Sequence, residues 1–336
     1  MTKTINVVQY GLGPIGAESA RKLLEKSDNG IRLVGAIDID PAKVGKDLGE
    51  ILGMKERLGI VVSNDARTVF RSTQTHVAVH TTSSFLEKVF SQLAQCAESN
   101  VNVVSSTEEL FYPYDRHPRI AMELDAIAKR NGITIVGTGV NPGFVMDTLP
   151  LMATGMCTKI RSITVERVVD ASRRRLPLQR KIGAGMSVSD FEEKKKSGTF
   201  GHIGLRESLL FIAAGLEWNL QRVEESLAPM IATKDIKTPY FEVARGQVSG
   251  IHQIINGYNN ATHSLLLDLK MYVGADNPHD SIFVDGDPPI DLEIKTGVFG
   301  DSATVAALVN IIPLVVASGP GLMTMKELPV LRSLGS

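Results

Sequence analysis

A doubly wound parallel α/β sheet followed by a second α+β domain of mixed or antiparallel sheet is predicted for this 336-residue chain. Three observations carry that prediction. An apolar strand near the N-terminus runs through a glycine-rich turn directly into a helix. Strand and helix patterns then alternate through the first 144 residues, with polar residues wherever a strand ends. Beyond about residue 145 the apolar segments lengthen and some alternate with period two, which fits mixed or antiparallel pairing.

The first element is Val7-Val8-Gln9-Tyr10-Gly11-Leu12-Gly13-Pro14-Ile15-Gly16. Gly11 allows a tight turn, Gly13 allows close backbone approach to a pyrophosphate, and Gly16 allows close packing of the helix that follows. With Pro14 and Ile15 these residues are the expected cradle, because the free N–H groups and dipole of a helix N-terminus attract an anion without a basic side chain. The second strand, Ile31 to Ile37, ends in Asp38, roughly twenty residues after the last glycine, where a ribose-binding acid belongs. This strand, turn, helix, strand and acid order is a Rossmann-type dinucleotide site. Asp38 favours NAD, since a 2'-phosphate would bring like charges together, while Lys43 and Lys46 keep NADP open.

Bulk composition narrows the partners. A net charge of −1 suggests neither a nucleic-acid nor an anionic-membrane partner. The runs Arg173 to Arg175 and Glu192 to Lys196 read as solvated surface. Cys96 and Cys157 form no CxxC and no histidine pair lies at ligand spacing, so no disulfide framework and no metal are expected. Met1 to Thr4 leads directly into the first strand, so no targeting segment is expected and cytoplasm is the expected location. The apolar run Val305 to Met323 is interrupted by Asn310, Pro313 and Ser318 and preceded by cap candidates Asp301 and Ser302. It reads as a buried helix.

The intervening chain delivers further polar loops to one sheet edge. Pro41 to Leu58 reads as partly helical and Ile60 to Val62 as a short strand. The strand His76 to His80 ends in Thr81, Thr82 and Ser83, which are candidates for cofactor contact or for capping the helix Phe85 to Ser99. The strand Val101 to Ser106 delivers Thr107-Glu108-Glu109-Leu110-Phe111-Tyr112. After the helix Ile120 to Asn131, the strand Ile133 to Val136 delivers Gly137 to Phe144. Later strands are expected at Arg161 to Val169, Tyr240 to Val248, His263 to Val273 and Ile290 to Thr296, with a helical region from Phe191 to Leu227. Gly183 to Gly204 reads as a glycine-rich loop. The expected organisation is a dinucleotide-binding domain at 1–144, a substrate and dimerisation domain at 145–298, and a C-terminal helical segment, 299–336, returning to the first domain.

A nicotinamide cofactor carries the hydride, so the protein needs a positioned base and a dry site. A carboxylate at Glu108 or Glu109, beside Leu110, Phe111 and Tyr112, would have its pKa raised by desolvation into a useful range. At least one of the pair is expected to be a surface acid capping the next helix instead. His202, His252 and His263 are competing bases, although a lone histidine is more often a structural hydrogen-bonding group.

At these residues the sequence resembles the 2,4-diaminopentanoate dehydrogenases and related native amine dehydrogenases. The motifs are Val7 to Gly16, Val103-Val104-Ser105-Ser106-Thr107-Glu108-Glu109-Leu110, Gly137-Thr138-Gly139-Val140-Asn141-Pro142-Gly143-Phe144, and Gly198 to Ser208. The resemblance implies a dihydrodipicolinate-reductase-like first domain. That reductase's own His-His and Lys pair and Ser-Gly-Thr loop are absent, which argues against a lysine-pathway reductase. The resemblance implies reversible oxidative deamination of an amine to a ketone or aldehyde plus ammonia, with NAD or NADP, in a homodimer. It carries the acid/base role to Glu108, with Glu109 as alternate, and places Asn141 beside the cofactor. Pro142, Phe144, Tyr112 and His263 complete the expected substrate pocket. Arg161, Arg167 and Arg173 to Arg175 are the candidates for a carboxylate clamp; a simple aliphatic amine is the preferred substrate and a diaminopentanoate the alternative. A dinucleotide sensor without chemistry is the reading from outside enzymology.

Overall fold

A computed structural model describes residues 4–196, 198, 200–259 and 263–335. Contacts between Cα atoms divide the chain into one unit of Met1–Phe144 with Gly300–Ser336 and another of Val145–Phe299.

The first unit opens with β1 (Ile5–Tyr10), α1 (Pro14–Glu25), β2 (Ile31–Ile37), α2 (Leu48–Ile51), β3 (Val62–Ser63), α3 (Ala66–Thr73), β4 (Val77–His80), α4 (Leu86–Glu98), β5 (Asn102–Ser105), α5 (Pro118–Asn131) and β6 (Thr134–Gly137). Strands β4 and β6 are buried at every residue, as expected where helices cover both faces of a parallel sheet. Helix α5 ends in Gly132 at φ +65, a left-handed cap that only a residue without Cβ adopts freely. Of the span Pro41 to Leu58, only Leu48–Ile51 is helical, because Asp47 accepts from the amides of Gly49, Leu58 and Gly59 and ties the rest into a turn.

The second unit contains α6 (Thr148–Ala153), β7 (Lys159–Asp170), α7 (Leu176–Lys181), α8 (Val188–Lys195), α9 (Leu205–Gly215), β8 (Arg222–Ile231), β9 (Ile236–Lys237), β10 (Glu242–Val243), β11 (Val248–Asn259), β12 (His263–Tyr272), β13 (His279–Asp287) and β14 (Ile290–Lys295). Its six-stranded sheet runs β14-β13-β7-β12-β11-β8, with β7 and β12 parallel and the other pairs antiparallel. Ile163, Val165, Leu265, Leu267, Ile251 and Ile255 fill the face on which α9 packs. The opposite face presents half-exposed residues such as Glu166, Asp268, His252 and Ile254.

Several expectations are corrected here. Residues 222–227 are not helical but begin β8, whose polar residues lie on an exposed outer strand. Tyr240 to Val248 is not a long strand; β10 covers two residues and a turn at Gly246 leads into β11, which the sequence reading missed. The strand β13 was also missed. Within Gly183 to Gly204, Ser187 accepts from the amide of Asp190 and starts α8, so the segment is not wholly loop.

The C-terminal run forms α10 (Gly300–Asn310) and α11 (Ile312–Ala317), divided at Ile311 with Pro313 in the first turn of α11, and then β15 (Gly321–Met323). It is therefore not one helix. Helix α10 packs against α1, and β15 pairs in parallel with β6 as the edge of a seven-stranded sheet, β15-β6-β5-β4-β1-β2-β3.

One buried ion pair distinguishes the second unit. Arg167 and Asp280 are each 2% exposed, with Nη1 and Oδ1 3.1 Å apart; Arg167 also donates to the Val298 carbonyl and Asp280 accepts from the Val298 amide. Removing one partner strands a buried charge. We expect Asp280→Ala to lower the urea-unfolding free energy by about 3–5 kcal/mol, and Arg167→Met with Asp280→Leu to recover most of that loss. A single-variant loss under about 1 kcal/mol would contradict a desolvated pair.

Candidate active site

Because the first sheet is parallel, the loops after β1, β2, β4, β5 and β6 emerge along one edge. The order of strands reverses at β1, which lies between β2 and β4. In an open α/β sheet such a switch point forms a crevice.

The glycine turn fits the space available to it. Gly11 has φ +91, and a Cβ on it would lie 2.8 Å from the Thr81 carbonyl oxygen. A Cβ on Gly16 would lie 1.9 Å from the Gly11 oxygen. At Gly13, by contrast, an added Cβ would meet nothing within 4 Å, and Gly13 stands as N-cap of α1 with Pro14 at the first helical position. An open cradle therefore lies beside the free amides at the start of α1, which suits a pyrophosphate. Ile15 belongs to the same first turn.

Buried polar groups brace the cradle. Gln9, fully buried, places Nε2 within 3.1 Å of the Gly11 and Val79 carbonyl oxygens and of Thr81 Oγ1, which itself donates to the Gly11 oxygen. Asp38 accepts from the Leu12 amide at 2.7 Å and the Asp40 amide at 2.8 Å. Burial pushes its pKa up, but these amides and Lys43 outweigh burial and hold the carboxyl below its ordinary range.

Thr81 is half-buried and Thr82 exposed, and neither caps α4. Thr82 Oγ1 lies 2.9 Å from His80 Nε2 and donates to Gln92 Oε1. His80 Nδ1 lies 2.9 Å from Ser105 Oγ, Ser105 donates to Thr107 Oγ1, and Thr107 donates to the Ser83 carbonyl oxygen. This network joins the ends of β4 and β5 beneath the loops. Ser83 also accepts from the Phe85 amide.

The adjacent acids separate by environment. Both lie in one 3₁₀ turn, Glu108–Leu110. Glu109 is 5% exposed; its Oε2 accepts from the Leu86 amide at 2.7 Å, at the start of α4, and lies 2.9 Å from His117 Nε2. Glu109 is thus neither a surface acid nor the cap of the next helix: it is buried and caps the preceding helix, α4, from 23 positions away. Glu108 is half-exposed on the same turn.

The loop after β6 is tightly folded. A Cβ on Gly143 would lie 2.1 Å from the Gly139 amide nitrogen, Val140 donates to Thr304 Oγ1 at 3.4 Å, and the Asn141–Pro142 peptide is cis. Pro142 is buried, whereas Asn141 and Phe144 are half-exposed. Tyr112 stacks edge-on against Tyr114, whose hydroxyl donates to the Leu322 carbonyl oxygen in β15. Strand β12 starts at His263, whose side chain lies outside the described residues; so does Thr199 of the Gly198 to Ser208 motif.

The other candidates belong to the second unit. His252 Nε2 lies 2.8 Å from Asp268 Oδ1. His202 keeps a buried Nε2 with no hydrogen-bond partner among the described residues, and burial, with Lys181 and Arg167, pushes its pKa down to about 3. Arg161 binds Asp285 and Asp287, and Arg167 binds Asp280, so both already hold carboxylates of their own chain. Arg173 and Arg174 line a cavity of about 190 Å³ with Asp170, Asp280, Val298 and Phe299.

Residues 144–336 match the model of the 2,4-diaminopentanoate dehydrogenase C-terminal domain. The chain belongs to the 2,4-diaminopentanoate dehydrogenase family. It is 31% identical to the 2,4-diaminopentanoate dehydrogenase of Acetoanaerobium sticklandii, over 98% of this chain and 95% of that protein. To an amine dehydrogenase of Streptomyces virginiae it is 24% identical over 98% of both chains. The solved structure of an amine dehydrogenase from Mycobacterium smegmatis superposes with a TM-score of 0.87 at 29% identity, covering 98% of each chain. This family member is an oxidoreductase acting on amines.

Gln9 and the His80, Ser105, Thr107 and Gln92 network escaped the sequence reading. Their signal was a polar residue inside an otherwise apolar strand, as at Gln9. Burial pushes the pKa of His80 down to about 4, against the opposing hydrogen bond to Gln92. An unfolded histidine takes its proton near pH 6.5, so between about 6.5 and 4 the unfolded chain holds the extra proton. The stability is whole above pH 6.5 and falls toward pH 4, by at most about 1.4 kcal/mol per pH unit for one ring. Urea unfolding across this range should show that slope, diminished in His80→Gln; an undiminished slope would remove His80 as its source.

Proposed function

We propose that this family member is an NAD(P)-dependent amine dehydrogenase that interconverts an amine with a ketone or aldehyde plus ammonia, with Glu108 as the acid/base group. The observation that carries the assignment to Glu108 is the fate of its neighbour: Glu109 is buried and held by the Leu86 amide and His117, leaving Glu108 half-exposed at the sheet edge.

The strand order supports a direction for the cofactor. Asp38, after β2, would take the adenosine ribose, and the turn at Gly11 to Gly16 the pyrophosphate. The loops after β4, β5 and β6, on the other side of β1, would take the nicotinamide end. Strands β1 and β5 are separated by β4, so Glu108 lies about 10 Å along the edge from the glycine turn, within the span of a dinucleotide. The nicotinamide supplies hydride transfer when bound. Glu108 would remove a proton from ammonium so that ammonia attacks the carbonyl, then protonate the departing hydroxyl. Its negative charge would also stabilise the cationic iminium that results. Asn141, Pro142 and Phe144 would shape the adjoining pocket.

A simple aliphatic amine is the preferred substrate, because Arg161 and Arg167 already bind carboxylates within the chain. The second reading, an amino acid such as a diaminopentanoate, is favoured by the Acetoanaerobium sticklandii relative and by the cavity at Arg173 and Arg174.

We further propose a homodimer built on the half-exposed face of the second sheet. Across that face run His279, Glu166, Lys270, Asp268 and His252, in which Lys270 contacts both Glu166 and Asp268 and His279 lies 3.2 Å from Glu166. Phe283, 46% exposed, stands beside Thr164 of β7. Both signs of charge with an apolar side chain suit a self-complementary two-fold contact.

The test of the chemistry is NADH and NADPH oxidation with cyclohexanone or a short aldehyde, with and without ammonium. Ammonium-dependent turnover should fall at least about 100-fold in Glu108→Gln, the usual range for a lost acid/base group. Turnover without ammonium would indicate a carbonyl reductase instead. Sedimentation equilibrium should give twice the chain mass of 36.4 kDa, shifting toward the monomer in Phe283→Asp; a wild-type monomer would overturn the dimer.

A further inference from the structure

Beside the turn that carries Glu108 stands a histidine that neither the glycine cradle nor the acid/base step employs. His117 is the N-cap residue of α5, with Pro118 at the first helical position, and its ring is 11% exposed. One edge of the ring meets the buried carboxylate: Nε2 lies 2.9 Å from Glu109 Oε2. The other edge is nearly idle, since Nδ1 and the exposed Glu87 Oε1 are 3.8 Å apart, too far for a hydrogen bond. An ionised carboxylate only accepts, so Nε2 bears the hydrogen in its contact with Glu109.

The Leu86 amide donates to the same Oε2 at 2.7 Å, so both lone pairs of that oxygen are engaged, one by the start of α4 and one by the start of α5. The backbone of Glu109 is tied too, its amide donating to the Ser84 carbonyl oxygen at 3.2 Å. The Leu110 and Phe111 amides close the 3₁₀ turn onto the Thr107 and Glu108 carbonyl oxygens. Glu108 therefore precedes a residue fixed at both backbone and side chain. Without the imidazole, Oε2 keeps the Leu86 amide alone, and this side chain no longer joins the turn to α5.

We propose that His117 is a positioning residue for the amine chemistry: through Glu109 it holds the turn so that the Glu108 carboxylate meets the reacting nitrogen. This rests on the reading of Glu108 as the acid/base group. Its effect falls on the chemical step, because displacing a reacting group by about 1 Å can cost up to about 100-fold in rate, whereas the dinucleotide phosphates are held elsewhere, at the glycine turn.

The experiment compares wild type, His117→Leu, His117→Gln, Glu87→Gln and Glu108→Gln in ammonium-dependent NADH oxidation, using whichever of cyclohexanone, a short aldehyde and an amino-oxopentanoate the wild type turns over best, with NADH affinity from fluorescence titration. Glutamine offers an amide N–H near the place of Nε2, whereas leucine keeps bulk and removes the donor. His117→Leu should lower kcat about tenfold with carbonyl KM and NADH Kd within about twofold of wild type; His117→Gln should recover to within about threefold, and Glu87→Gln should match wild type. Should His117→Leu not fold, His117→Asn, too short to reach Oε2, is read in its place. An unchanged kcat in His117→Leu, equal losses in the leucine and glutamine variants, or a parallel loss of NADH affinity would overturn the inference while an inactive Glu108→Gln leaves the acid/base reading standing. Full turnover in Glu108→Gln, or a wild type without ammonium-dependent turnover, would overturn both.

Discussion

The first unit depends on the close approach of the glycine turn after β1 to the loop after β4. A Cβ at Gly16 would fall inside the Gly11 carbonyl, and Gln9 and Thr81 hydrogen-bond across the same gap. That contact holds the first turn of α1 against the sheet edge with its amides turned to open space. Gln9 is a polar side chain in a buried strand whose Nε2 is met by the carbonyl oxygens of the seam, while its Oε1 is buried with no hydrogen-bond partner among the described residues.

A related economy separates the paired glutamates. Of two adjacent carboxylates on one short turn, one is taken into a set of partners of its own. Glu109 reaches the amide at the start of α4 and His117. Its burial fixes the turn on which Glu108 stands, so the residue that looks redundant in sequence orients the one that remains half-exposed.

The second unit is organised differently, by a sheet with one filled face. Branched apolar residues alternate inward along β7, β11 and β12, and α9 covers them. Arg167 interrupts that inward row, and it is tolerated because Asp280 on the neighbouring β13 and the Val298 backbone meet it there. The outward residues, alternating with these, carry the charged row instead.

Local chemistry made much of this legible in the sequence. Glycine spacing, an acid after the second strand and the alternation of strands and helices determined the doubly wound unit, its crevice and the loops that line it, because each signal arises from neighbours in the chain. The motif around Glu108 and Glu109 was legible too, but their division of labour was not: the Leu86 amide and His117 that claim Glu109 are brought to it by the packing of α4 and α5. For the same reason the His80 network and the Arg167–Asp280 pair were invisible, since their partners come from different strands. Strand β8 was misread because its charged, exposed residues lack a buried face, and β15 because three residues are too few to show a period. Sequence determined which segments carry chemistry through local backbone preference and periodicity; tertiary structure decided which side chains are buried and which stay half-exposed, because that depends on packing and on hydrogen bonds between distant parts of the chain.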